Sequence, residues 1–127
     1  MYFDMIKNVP IIGVQDVVKS SEWYQQLFNC KSGHGGDAFE MLHDKEDHLF
    51  LCLHKWGEHE HPTLSSSEIT PGNGLVLYLT VQDLQSTWEN AQQLNAQIEE
   101  PIALNPNSGK EQFSLRDLDG YYLMITR

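Results

Sequence analysis

Two short apolar runs rich in β-branched residues, Val9 to Val14 and Leu75 to Val81, read as buried strands. An aspartate follows each, Asp16 and Asp83. Aspartate favours a helix N-cap, because its carboxylate accepts from the backbone N–H groups that the first turn leaves unpaired. Behind Asp16, the residues Trp23, Tyr24 and Leu27 recur at helical spacing, and behind Asp83 so do Leu84, Trp88, Ala91 and Leu94. The first helix should end near Asn29 and Cys30, the second near Asn95. Further strands are expected over Ala38 to His43 and Leu49 to His54, on either side of the polar turn Asp44-Lys45-Glu46-Asp47, with Gly33, Gly35 and Gly36 breaking the chain before them. Gln97 to Ala103, Gln112 to Arg116 and Tyr121 to Thr126 complete the set, with Asp119-Gly120 as a tight-turn signal between the last two.

The two halves are copies. At an offset of 67, residues 9–29 fall on residues 76–96 with eight identities in 21 positions, among them Val14-Gln15-Asp16 on Val81-Gln82-Asp83 and Gln25-Gln26-Leu27 on Gln92-Gln93-Leu94. A solenoid needs three or more units, so two copies point to a duplicated module whose halves pack together. The expectation is an α+β fold within a single domain over residues 1–127. Two βαβββ modules, about 8–55 and 74–127, form a curled mixed sheet with helices outside. The stretch from Trp56 to Gly74, with Pro62, Pro71 and three serines in a row, separates the modules as a linker of about residues 56–73.

Composition narrows the function. The chain has 127 residues, 40% hydrophobic and 20% charged, as a globular domain does. No apolar run is long enough for a bilayer, and Met1 to Asp4 shows no leader features, so a cytoplasmic protein without a membrane partner is expected. A formal net charge of -10 argues against nucleic acid and permits a cationic ligand. The two cysteines, Cys30 and Cys52, form no CxxC pair, and Cys52 lies in an apolar run that suits a buried free thiol.

Val14-Gln15-Asp16 through Ser20, then Trp23-Tyr24 and Leu27, together with the closing stretch Phe113 to Tyr122 around Asp117-Leu118-Asp119-Gly120, resemble the vicinal-oxygen-chelate superfamily of glyoxalases, extradiol dioxygenases and bleomycin-resistance proteins. Leu118 stands where that family usually has proline. The resemblance implies strands curled into a partly open cup and, in metal-dependent members, one ligand at each of four cup-facing positions. Carried over by spacing, and by the likeness of His54-Lys55-Trp56-Gly57 to a glyoxalase stretch, these positions are Val9, Leu51, Val76 and Met124. All four are apolar, and a lone thioether is a weak, soft ligand, so no metal is expected there.

If those positions face the cup, strand alternation adds Leu53, Tyr78 and Tyr122, while Phe39, Met41 and Phe113 join them and Trp56 closes the rim. Phe39, Met41, Leu51, Leu53, Trp56, Tyr78, Phe113, Tyr122 and Met124 then form an aromatic-lined groove for a small molecule, unless they simply fill the core. A competing metal signal is His54, His59 and His61 with Glu58, in a tract that runs into Pro62 with no regular element to hold it. His34, His43 and His48 read as solvated positions, and no nucleophile elbow is present, so no catalytic residue is assigned.

The expected function is therefore metal-independent, cofactor-free binding of a small molecule, a cationic drug among the candidates, by a homodimer similar to the bleomycin-resistance proteins. One alternative is a glyoxalase- or dioxygenase-type enzyme with a relocated metal. The other is a non-catalytic interaction domain.

Overall fold

The computed structural model describes residues 8–58, 62–64, 66–70, 72–73 and 75–127. Among them the first module runs β1 (Ile11–Val14), α1 (Val17–Phe28), β2 (Lys31–Ser32), β3 (Phe39–His43) and β4 (Leu49–Lys55). A 3-10 turn over Pro62–Leu64 lies in the linker. The second module runs β5 (Leu77–Thr80), α2 (Leu84–Gln93), β6 (Gln97–Asn105), β7 (Lys110–Arg116) and β8 (Tyr122–Thr126). Each module makes its own four-stranded mixed sheet, in the orders β1-β4-β3-β2 and β5-β8-β7-β6, with the first strand parallel to the last. No helix among the described residues is long and apolar enough to cross a membrane.

The duplication is visible in the helix caps. The Asp16 carboxylate accepts from Lys19 N at 3.0 Å and the Asp83 carboxylate from Ser86 N at 3.0 Å, so the capping bond recurs at the sequence offset. α1 ends where Asn29 turns left-handed at φ 54, which asparagine tolerates better than most side chains. β1 and β5 begin two residues later than their apolar runs. Pro10 has no N–H to give the sheet, although its carbonyl accepts from Cys52 N at 2.9 Å, and Leu75 N is still closing a turn onto Gly72 O. β2 is only two residues long because the glycine loop follows at once, with Gly35 and Gly36 at positive φ.

One core serves both modules. Ile12, Val14, Leu42, Leu51 and Leu53 pack under Val17, Tyr24 and Leu27 of α1, while Leu77, Phe113, Leu115, Leu123 and Ile125 pack under Leu84 and Ala91 of α2. The helices lie side by side, and the Asn90 amide donates to Leu27 O at 3.1 Å.

The β7–β8 turn ties the modules together. The buried Asp117 carboxylate accepts from Tyr24 Oη at 2.6 Å, Tyr121 N at 2.8 Å and Asp119 N at 2.9 Å. Asp119 accepts from Gln15 N at 2.8 Å, and Tyr121 Oη donates to Gly13 O at 2.9 Å. Truncating Asp117 strands a buried phenol and a buried amide, so Asp117→Ala should cost about 2–5 kcal/mol in denaturant unfolding.

Burial raises the pKa of both Asp117 and Asp119 above the usual aspartate value, against the hydrogen bonds that favour their ionised forms. A carboxyl raised in the folded state binds its proton more tightly when folded. It therefore favours folding as pH falls, and that contribution is lost as pH rises through the folded value. As pH falls through the raised folded values toward about 4, the unfolded aspartate value, the contribution of this pair to the unfolding free energy should rise, and Asp117→Asn should flatten that slope.

Candidate functional site

Residues opposite one another in a sheet share a face, so the strand registers fix what each face carries. In the first sheet, Ile12, Leu53 and Glu40 form a row toward α1, with Leu42 and Leu51 beside it. The opposite face carries the rows Ile11–Cys52–Met41 and Gly13–His54–Phe39. In the second sheet, Leu77–Leu123–Leu115 and Leu79–Ile125–Phe113 face α2. The opposite face carries Tyr78–Met124–Ser114–Glu100, then Thr80–Thr126–Gln112, then Tyr122–Arg116.

These helix-free faces differ in chemistry. On the first, the central strand is roofed by rings: Trp56 lies on Gly13, where a Cβ would come within 2.7 Å of the indole, and Phe39 stands edge-on to His54 at 6.1 Å. Cys52 and His54 are buried on this face, while Ile11 at the sheet edge is 52% exposed. His54 Nδ1 lies 2.7 Å from Lys55 O, a pure acceptor, so that nitrogen carries the proton. His34 packs edge-on against Phe39 at 5.4 Å.

Behind this face, Glu40 anchors the glycine loop. Its buried carboxylate accepts from Ser21 Oγ, Ser32 Oγ, His34 N, Gly35 N and Met41 N at 2.7–3.2 Å. Burial pushes its pKa up, but the hydrogen bonds from the loop and Ser32 outweigh that and hold it below the usual glutamate value. The Cys52 thiol is raised, first by burial and then by the Glu40 charge, so it stays protonated. Cys30 is raised to about 12, chiefly by burial.

On the second face Tyr78 is 56% exposed, with Met124 and Tyr122 half-buried beside it. Tyr122 Oη donates to Glu100 at 3.3 Å, and the Arg116 guanidinium sits 5.0 Å from the centre of the Tyr122 ring. Arg116 is held there by Glu99 at 3.0 Å and by Gly120 O at 3.0 Å. This face already holds a cation against an aromatic ring. Ser114 Oγ, in the row with Met124, is buried without a hydrogen-bond partner.

The expected groove residues are therefore divided. Phe39 and Met41 lie on the first helix-free face, and Tyr78, Tyr122 and Met124 on the second, with Trp56 at the edge of the first sheet. Leu51, Leu53 and Phe113 do not face outward. They are buried at 1%, 0% and 1% exposure in the helix-covered core, where Phe113 meets Trp88 at 5.1 Å. The assignment of Leu51 to a cup-facing position is corrected by the register. Ile11 and Tyr78 correspond across the duplication, and their partners on the last strands are Cys52 and Met124, so Cys52 is the counterpart of Met124. Val9 and Val76 stand two residues before Ile11 and Tyr78, just outside the strands. His59 and His61 lie outside the described residues, and no cluster of three metal-binding side chains occurs among the described ones.

Sequence reasoning missed Cys52, Glu100 and Arg116 as face residues, and placed His54 only as an alternative ligand. Arg116 was within reach, because the Asp119-Gly120 turn pairs it with Tyr122.

Over residues 5–125 the sequence matches the Glyoxalase/Bleomycin resistance protein/Dioxygenase superfamily. The chain belongs to that superfamily. Its fold is similar to TioX from Micromonospora sp. ML1, at 18% identity and a TM-score of 0.73, covering 94% of this chain and 95% of that one. It is also similar to a bleomycin resistance determinant encoded on the transposon Tn5, at 16% identity and a TM-score of 0.67, covering 97% and 98%. A third is a glyoxalase/bleomycin resistance protein/dioxygenase family enzyme from Burkholderia phytofirmans PsJN, at 19% identity and a TM-score of 0.74, covering 93% and 94%. No curated protein matches the chain in sequence. In this superfamily member, Leu51→Ala should cost about 2–5 kcal/mol by leaving a core cavity. Tyr78→Ala, on the uncovered face, should stay within about 1 kcal/mol when both are compared by denaturant unfolding.

Proposed function

We propose that this superfamily member binds a small organic molecule against its helix-free sheet faces without a metal ion, as a homodimer whose copies bring these faces together into clefts. The observation that carries the reading is the chemistry at the four corresponding positions. Val9, Val76 and Met124 offer no hard or borderline donor, and the fourth, Cys52, is a buried thiol kept protonated by burial and by Glu40. A metal wants the thiolate.

The remaining chemistry supports stacking and charge. Tyr78 and Tyr122 present rings, Glu100 supplies a carboxylate beside Tyr122, and Arg116 already shows how a planar cation lies on that ring. A net charge of -10 favours cationic ligands and disfavours nucleic acid. The exposed Ile11, Val76 and Tyr78 support pairing with a second copy, which would remove their apolar surface from water. Two free cysteines, one buried and one half-buried, support a reducing, cytoplasmic setting.

A thermal-shift panel of planar cationic compounds tests the reading. At least one compound should raise the melting temperature with dose, since a ligand of the native state must stabilise it. Tyr78→Ala and Tyr122→Ala should each weaken that shift, and light scattering should give the mass of two chains. A panel with no shift, or shifts indifferent to both tyrosines, would sink the proposal.

A further inference from the structure

A concave site lies at the β1 edge of the first sheet, beside its helix-free face and beneath the linker. It is a solvent-open recess of about 470 Å³ between β1, the linker, the start of the second module and Tyr121. Small-molecule pockets span about 300–1,000 Å³.

Two of its walls are rings packed closely against glycines. The Trp56 indole covers Gly13, and the Tyr121 ring covers Gly72, where a Cβ would come within 2.7 Å of it. Gly72 also has φ +75, so it is suited to glycine on two counts. Tyr121 is pinned at its other end by the hydrogen bond from its hydroxyl to Gly13 O. The linker is folded back onto the end of β4 by Gly57 N donating to Leu64 O at 2.8 Å. These contacts hold the walls apart before anything enters.

The lining is uncharged. The chain has 18 acidic residues and 8 basic ones, yet no described residue of this cavity is among them. Its mouth carries three of the chain's exposed large apolar side chains, Ile11, Ile69 at 75% exposure and Leu75. Thr63 and Thr70 add hydroxyls on the linker side. A cation would find no counter-charge here, and an anion would enter against the field of an acidic protein.

We infer that this cavity is a binding site for an uncharged, flat, mainly apolar molecule carrying one or two hydrogen-bonding atoms. It borders the first helix-free face, sharing Ile11, Gly13 and Trp56 with it, but lies away from Tyr78, Tyr122 and Met124 of the second face and does not depend on that face binding anything. Trp56 supplies the stacking surface, the buried Tyr121 closes the floor, Ile11, Ile69 and Leu75 cover the ligand's edge, and the threonine hydroxyls orient it.

The test is a fluorescence titration of the full chain with N-phenyl-1-naphthylamine, an uncharged probe that brightens when it leaves water. Saturable binding at one probe per chain is expected. Trp56→Leu, which removes a wall, and Thr70→Trp, which fills the cavity from the exposed linker, should each weaken it about tenfold or more. Val18→Ala, on the outer side of α1, should leave it unchanged. The sulfonated analogue 8-anilinonaphthalene-1-sulfonate should bind about tenfold more weakly than the uncharged probe. Circular dichroism and melting temperature check that each variant folds, and Thr70→Trp decides the matter if Trp56→Leu does not. Absent saturation, equal affinity for both probes, binding indifferent to Thr70→Trp, or equal weakening by Val18→Ala would overturn the inference.

Discussion

Each four-stranded sheet has one helix to cover it, and one helix covers one face. A four-stranded sheet is about 14 Å across, and a helix with its side chains is about 10–12 Å wide. α1 and α2 therefore take up the face carrying Leu51, Leu53, Phe113 and Leu123, and they leave the face carrying Met41, Tyr78, Tyr122 and Met124 without a layer. The binding faces proposed for this chain follow from that imbalance. The covered faces share one core, and the uncovered faces are where a second molecule can gain by burying surface.

The junction between modules has its own physics. Apolar packing of the two helices brings the halves together, but the turn at Asp117 to Tyr121 sets their alignment through directed hydrogen bonds to Gly13, Gln15 and Tyr24. Asp117 sits there as a buried carboxylate, costly to desolvate and satisfied by three donors. Glu40 has the same role within the first module, where it holds a loop of three glycines. In both cases a buried charge defines backbone geometry that apolar contacts alone would leave loose.

Much of this was legible before any coordinates. The capping aspartates and the offset of 67 located both helices and paired the modules, because caps and periodicity are local properties. The side of β4 was not legible. Leu49-Phe50-Leu51-Cys52-Leu53-His54 is almost continuously apolar, so alternation marks neither face, and the register shifts at Leu42/His43 remove the remaining reference. Phe113 is different. Between Gln112 and Ser114, and two residues before Leu115, it stood in an alternating strand from which the core side could have been read, although it was expected in the groove. Glu40 could not have been foreseen as buried, since its donors come from α1, β2 and a loop distant in pattern, though near in space.

The central claim is that the positions where relatives would hold a metal have lost that capacity. It is tested most directly by elemental analysis of untagged protein, purified without chelator, exposed in turn to Zn²⁺, Ni²⁺, Mn²⁺ and Fe²⁺, and desalted. The account predicts far less than one metal ion per chain in every case. Stoichiometric metal that survives desalting would contradict it. It would then point to His54, His59 and His61, or to Cys52 as a thiolate after all.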